Sequence, residues 1–247
     1  DGGNLVASGV KNDHYDIPNQ LADWRETTHG IRLKHWRSVG HGPNKFAIES
    51  LLDTIAFDQS VDPVALRRTL MAQSPKALAT LEKAVAMSRW DVPSIDGRAK
   101  GVAFVEHGSI GTGICEISLD RATGTINVHH FWIALDAGVI IQPDNVKAQM
   151  EGGIIMGMSS VLKEQITIVD GQVQQSNFHD YSLLRMQEVP DSIETAFIPS
   201  SEKPEGVGET ATPMVAGAIA NAFLKLTGKH LRHLPFTPDR VLAVLNG

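Results

Sequence analysis

Cysteine is almost missing from this chain: of its 247 residues only Cys115 carries a thiol. One cysteine excludes an intramolecular disulfide, a cysteine-ligated zinc finger and a four-cysteine iron–sulfur cluster built by this chain alone. Positive charge is not in excess either. Twenty-two basic residues against 28 acidic ones leave a formal net charge of -6, which argues against nucleic acid as a partner because nothing is available to neutralise a phosphate backbone. Long apolar runs are lacking. The longest, around Ile154 to Val161, is broken by Gly157, Ser159 and Ser160, so no transmembrane helix is expected. The chain starts at Asp1-Gly2-Gly3 without an initiator methionine or a charged-then-apolar leader, which reads as a processed or partial chain whose first loop continued upstream. Two catalytic patterns are also missing. No His-Glu-x-x-His occurs among ten histidines, and the adjacent His129 and His130 point to opposite faces of a predicted strand, so no protein-ligated metal is expected. No Gly-x-Ser-x-Gly occurs, which weighs against a hydrolase pairing Glu209 with a histidine.

What is present is a 42% hydrophobic chain, long enough to bury a core as one large domain or two small ones. Residues 1–42 carry Gly, Asn, His and Pro at short intervals and read as looped chain lying on another surface. From Asn44, a plausible N-cap, Phe46, Leu51, Leu52 and Ile55 share a helical face. Asp62-Pro63 and Ser74-Pro75 open two more helices, and Asp91 to Lys100 reads as a connector. Short β-branched runs at 102–105, 114–119 and 126–135 predict three strands, with a turn at Asp120 to Gly124. A glycine-containing helix is expected from Pro143 to about Glu164. A hairpin turning at Asp170-Gly171 follows, then a strand at 193–198, a helix from Pro213 stopped by Gly228, and a last helix from Pro238. The fold class is α+β. A helical region at 1–100 and an α+β region at 101–247 form one continuous part of a larger unit.

The segment Gly206-Val207-Gly208-Glu209-Thr210-Ala211-Thr212-Pro213 sets a carboxylate in a glycine-flexed loop just before a helix. Thr212 is the expected N-cap and Pro213 the first helical residue, so Glu209 stands near the positive end of the helix. Gly206 and Gly208 permit unusual torsions or a close approach that a Cβ would forbid. Such a carboxylate is either a base beside a bound anion or metal centre, or a capping charge.

Three segments in order carry a resemblance that bears on this choice. Gly206-Val207-Gly208-Glu209 with Thr212-Pro213 and Asn221, the loop His35-Trp36-Arg37-Ser38-Val39-Gly40-His41, and Gln149-Met150-Glu151-Gly152-Gly153 together resemble the molybdopterin-binding subunit of xanthine oxidase family molybdenum hydroxylases. The Trp-Arg-Ser-Val-Gly-His version of the loop, together with Gln175 to Tyr181, is most similar to the isoquinoline 1-oxidoreductase and aldehyde dehydrogenase branch. Thr210-Ala211 departs from the Pro-Pro or Pro-Gly that often follows the glutamate in the family.

This resemblance implies part of a molybdenum-cofactor-binding domain with mixed sheets and packed helices. Glu209 is then the catalytic base. Trp36, Arg37, Ser38, Gln149, Gly206, Val207 and Gly208 contact the cofactor, and Trp36 and Val39 are candidates for either substrate channel or core. The implied cofactor is molybdenum-molybdopterin cytosine dinucleotide, shared with another chain or segment. The reaction is oxidation of an aldehyde or hydroxylation of an N-heteroaromatic carbon with water as oxygen source. Electrons pass to 2Fe-2S clusters in a small partner subunit, and onward to a flavin subunit or a cytochrome. The upstream part of the large subunit is a further partner, and a periplasmic location is favoured within this branch. The alternative is a non-catalytic scaffold that completes the large subunit and docks the iron–sulfur subunit.

Overall fold

A computed structural model describes residues 7–11, 13–23, 25, 27, 30 and 34–247; Gly2 and Gly3 lie outside them. Helix α1 (His41–Asp58), α2 (Pro63–Leu70) and α3 (Pro75–Ser88) precede three long strands, β1 (Arg98–His107), β2 (Ser109–Asp120) and β3 (Thr125–Asp136). Helix α4 (Pro143–Leu162), the small hairpin β4 (Ile168–Val169) and β5 (Gln172–Val173), strand β6 (Ser192–Phe197), and helices α5 (Met214–Thr227) and α6 (Pro238–Asn246) complete the order. No helix among the described residues is long and apolar enough to cross a membrane.

The main sheet has the order β1-β2-β3-β6. Its first three strands are antiparallel neighbours, and β6 joins β3 in parallel. Both faces are covered, so the strands read as near-continuous apolar runs. Val102, Ile114 and Trp132, aligned across three strands, pack with Leu52, Val64 and Leu81 on one side. Ala103, Cys115, Phe131 and Ile133 pack against α4 and α5 on the other. Helix α5 is buried continuously from Met214 to Leu224, as expected of a helix apolar all round. It lies directly on β1: a Cβ on Gly101 would stand 2.2 Å from both the Ala218 carbonyl and the Ala222 nitrogen. Residues on both sides of position 100 thus line the same clusters.

The structure departs from the sequence reading at several places. Helix α1 starts at His41 with Gly40 as N-cap, and Asn44 lies inside it, donating to the Ser8 carbonyl at 3.0 Å. Leu51 is exposed, because the buried face is His41, Lys45, Glu49, Leu52, Asp53 and Ala56. The expected connector ends early, since Arg98 already begins β1. Pro213, not Thr212, is the N-cap of α5; the Thr212 hydroxyl instead donates to the Gly153 carbonyl at 3.3 Å.

The face that α1 buries is polar at every fourth residue. Glu49, fully buried, accepts from Tyr15 Oη at 2.9 Å, from Arg67 Nη2 at 2.9 Å and from the Phe104 amide at 2.9 Å. Arg67, also fully buried, reaches Asp53 at 2.5 Å. The Asn221 amide donates to the Glu49 and Val102 carbonyls at 3.2 and 2.8 Å, tying α5 to α1 and β1. At the start of the same face, His41 is held at about 4, below its ordinary 6.5, by burial, with His107 and Lys45 acting in the same sense.

Two outcomes follow. Arg67→Met leaves Glu49 and Asp53 as buried uncompensated carboxylates and should cost about 3–5 kcal/mol, read as a large drop in the unfolding midpoint of the complete large chain; a change under about 1 kcal/mol would contradict it. His41 is buried in its neutral form, so its contribution is present above the unfolded value of 6.5 and is lost as pH falls towards about 4. The unfolding midpoint should therefore fall less steeply across that window in His41→Phe than in the parent, and equal slopes would refute this assignment.

Candidate active site

The loop before α1 makes a tight turn in which the Val39 amide donates to the Trp36 carbonyl at 2.8 Å and the His41 amide to the Ser38 carbonyl at 2.9 Å. Ser38 and Val39 both lie in the left-handed region, at φ 80° and 42°. For two non-glycine residues, one of them β-branched, this costs on the order of 1–3 kcal/mol each and persists only where the surroundings enforce it. The result is that the Ser38 amide points at Glu209 and donates to its Oε1 at 2.9 Å.

Glu209 is carried by a loop stitched to the ends of the sheet. The Val139 amide donates to the Glu202 carbonyl and the Glu205 amide to the Ala137 carbonyl, both at 2.9 Å, while the Ser109 amide donates to the Gly206 carbonyl at 3.3 Å. Thr210, buried, shares a 2.6 Å hydrogen bond with the Ser109 hydroxyl and donates to the His107 carbonyl at 3.3 Å. These contacts leave Glu209 with 44% of its side chain exposed and its Oε2 3.1 Å from His107 Nε2.

Arg37 joins the pieces. Its Nε donates to the Gly208 carbonyl at 2.6 Å, and its Nη2 donates to the Gln149 side-chain oxygen at 2.9 Å and backbone carbonyl at 3.3 Å. The three segments singled out in the sequence, far apart along the chain, meet at one guanidinium whose planar fork spans all the acceptors. Val207 packs its side chain against the core. Trp36 and Val39 line a cavity of about 360 Å³ with Ser38, Thr212, Pro213 and Tyr181.

The glycines show what the site can hold. Neither Gly206 nor Gly208 has positive φ, so torsional freedom is not their reason. A Cβ on Gly206 would meet nothing within 4 Å, and one on Gly208 only Gln149 Oε1 at 4.0 Å. The glycine face is an open cradle beside Gln149 and Glu209, which a side chain would fill. Gly152 likewise faces open space, whereas Gly153 and Gly157 are packing glycines against Ala211 and Val215. Backbone amides, an arginine and a primary amide suit an oxygen-rich organic group. Among the described residues no three His, Cys, Asp or Glu side chains stand together to hold a metal ion, so a metal here would have to come with its own ligands. A molybdenum ion carried by a pterin fits this donor set. His107, whose ring stacks on that of His41 at 4.0 Å between centroids, is not singled out by sequence reasoning; the only signal is a histidine beside glycine at a strand end.

Comparison with known proteins adds the family. The profile of the molybdopterin cofactor-binding domain matches residues 53–190, a span that includes Gln149 and strands β1 to β3 of the main sheet but not β6, Arg37 or Glu209. The chain is 38% identical over 242 residues to the beta chain of isoquinoline 1-oxidoreductase from Brevundimonas diminuta, covering 96% of this chain and 30% of that protein. It is 31% identical over 252 residues to one of the subunits of nicotinate dehydrogenase from Pseudomonas putida, covering 94% of this chain and 21% of that one. The fold matches quinoline 2-oxidoreductase from Pseudomonas putida 86 with a TM-score of 0.75 at 13% identity, over 85% of this chain and 53% of that chain. This chain therefore spans less than a third of the length of these two curated relatives, and it belongs to the molybdopterin cofactor-binding domain family.

Proposed function

We propose that this chain forms part of the large subunit of a molybdenum hydroxylase in which Glu209 is the general base for hydroxylation of an N-heteroaromatic carbon. The observation that carries this reading is the convergence on Glu209: Ser38 holds Oε1, Arg37 ties the loop of Glu209 to Gln149, and the open glycine cradle lies between them. The two relatives' names, isoquinoline and nicotinate, support an N-heteroaromatic ring as the substrate class.

The bound cofactor, in this branch molybdopterin cytosine dinucleotide, supplies two-electron redox chemistry and an activated oxygen nucleophile derived from water. Gly206 and Gly208 would receive it against bare backbone, and Gln149, able to donate and accept, would meet the pterin edge. Glu209, anchored through Oε1, keeps lone pairs on a half-exposed carboxylate to take the proton of the nucleophile as it attacks carbon. Trp36 and Val39 wall the adjoining cavity and orient a flat substrate. With its only cysteine fully buried, the chain hands electrons to 2Fe-2S clusters of a partner subunit, and the upstream part of the large subunit completes the pocket.

In the complete enzyme Glu209→Gln should retain molybdenum and pterin but lose kcat by roughly 10²–10⁴-fold; near-normal turnover rules out the base assignment. Arg37→Met should lower cofactor occupancy, with affinity falling about 10–100-fold, and Arg37→Lys should not restore it because an ammonium cannot span the fork; full molybdenum content in both variants would contradict the tie. A panel of N-heteroaromatics and aldehydes with a dye acceptor, in ¹⁸O-labelled water, tests the substrate class: label should enter the ring product, and turnover of aldehydes alone would refute the heterocycle reading. An assembly purified without molybdenum or pterin would instead favour the scaffold.

A further inference from the structure

Glu209 Oε1 is held by a backbone amide, but nothing in the function assigned so far accounts for what stands at Oε2. His107 is the last residue of β1, fixed by antiparallel pairing with Ser109 across Gly108. Its carbonyl accepts from Thr210, the residue that follows Glu209. Its Nε2 lies 3.1 Å from Oε2, although the two are not aligned as a hydrogen bond in this conformation, and the nitrogen is buried with no other partner among the described residues. The ring is clamped from behind by His41, 4.0 Å away and only 12° from parallel. His41 in turn opens α1 directly after the strained turn that presents Ser38. The two groups that flank the carboxylate therefore come from one rigid assembly, Ser38 through its amide at Oε1 and His107, stacked on His41, beside Oε2.

The charged and titratable groups around this pair can be named. From α1 come His41 and the fully buried Lys45, whose ammonium makes no hydrogen bond among the described residues. From β1 comes Glu106, whose carboxylate instead stands 3.2 Å from His14. From the loop comes Glu209 itself. Burial, with Lys45 acting in the same sense, holds His41 in its neutral form, and an imidazole donates at least one N–H in either protonation state.

We propose that His107 is a positioning residue for Glu209: its imidazole, held flat against His41, donates Nε2–H to Oε2 and fixes the rotation of a carboxylate whose other oxygen is anchored by Ser38. The proposal rests on the assignment of Glu209 as base. A carboxylate free to swing about its Oε1 anchor would miss the nucleophile for much of the time, and a misplacement of about 1 Å costs on the order of 10²-fold in rate. Substrate binding is untouched, so the loss falls on kcat rather than KM.

The test is made on the complete, cofactor-loaded enzyme with His107→Phe, which keeps an aromatic face for His41 but removes the donor, and His107→Gln, which restores a donor nitrogen at similar reach. Molybdenum and pterin content should equal the parent's in both. His107→Phe should lose about 10–100-fold in kcat with KM within about threefold, and His107→Gln should recover most of the loss. In a Glu209→Gln background, His107→Phe should have no further effect, the non-additivity expected of two residues acting through one another. Parent-like kcat in His107→Phe, equal impairment in both variants, additive losses in the double variant, or molybdenum lost in step with activity would each overturn the proposal. The two claims separate cleanly: full activity in Glu209→Gln removes the base, whereas an inactive Glu209→Gln beside an unaffected His107→Phe removes only the positioning role.

Discussion

Everything in the site hangs on the guanidinium of Arg37. It bonds the Gly208 carbonyl and both oxygens of Gln149, joining the loop of Glu209 to α4 at its exposed edge, where the Thr212–Gly153 hydrogen bond further along does not reach. The N-terminal half of α4 is exposed around Gln149, as is the loop from residue 201 to Gly206. A planar, permanently charged donor between them fixes the spacing of the two edges of the cradle. The short loop that places Arg37 also aims the Ser38 amide at Glu209, so the tie and the anchor of that carboxylate share one backbone turn.

The turn is strained, and α1 is what holds it. Its buried face repeats His41, Lys45, Glu49 and Asp53 at every fourth position, and the two carboxylates are tolerated there because they are paired. Glu49 and Asp53 meet Arg67, and Glu49 also meets Tyr15 and β1, so the helix cannot slide or rotate without breaking several buried ionic contacts together. A rigid helix with polar register fixes His41, His41 fixes the turn before it, and the turn fixes the amide that meets Glu209.

The sheet, the α4 and α5 helices, the Asp170-Gly171 hairpin and the Gly228 stop were legible because each follows from a local rule: alternation, proline at a helix start, or glycine in a left-handed cap. Helix α1 was legible as a helix but not by its face, because apolar periodicity points at Phe46, Leu51 and Leu52 whereas the helix buries charge. Its start was missed for a similar reason: Asn44 has a capping side chain, but that amide is used against Ser8 and Gly40 takes the cap. At the site, Glu209, Arg37 and Gln149 were found through resemblance, and the physical link among them, one guanidinium across three segments, is not readable from spacing. His107 left no signal beyond its glycine neighbour at a strand end; only the folding of the chain back at Gly108 brings it to Glu209.

The central claim is that the cradle beside Gly206, Gly208 and Gln149 receives a molybdenum-bearing pterin with Glu209 as its nearest carboxylate. An anomalous difference map collected at the molybdenum edge from crystals of the complete enzyme tests it most directly. The account predicts a single strong peak on the open glycine face, with the Glu209 carboxylate the closest side chain of this chain and no histidine or cysteine of this chain bonded to the metal. A peak on another face of the sheet, or one ligated by histidines of this chain, would contradict it.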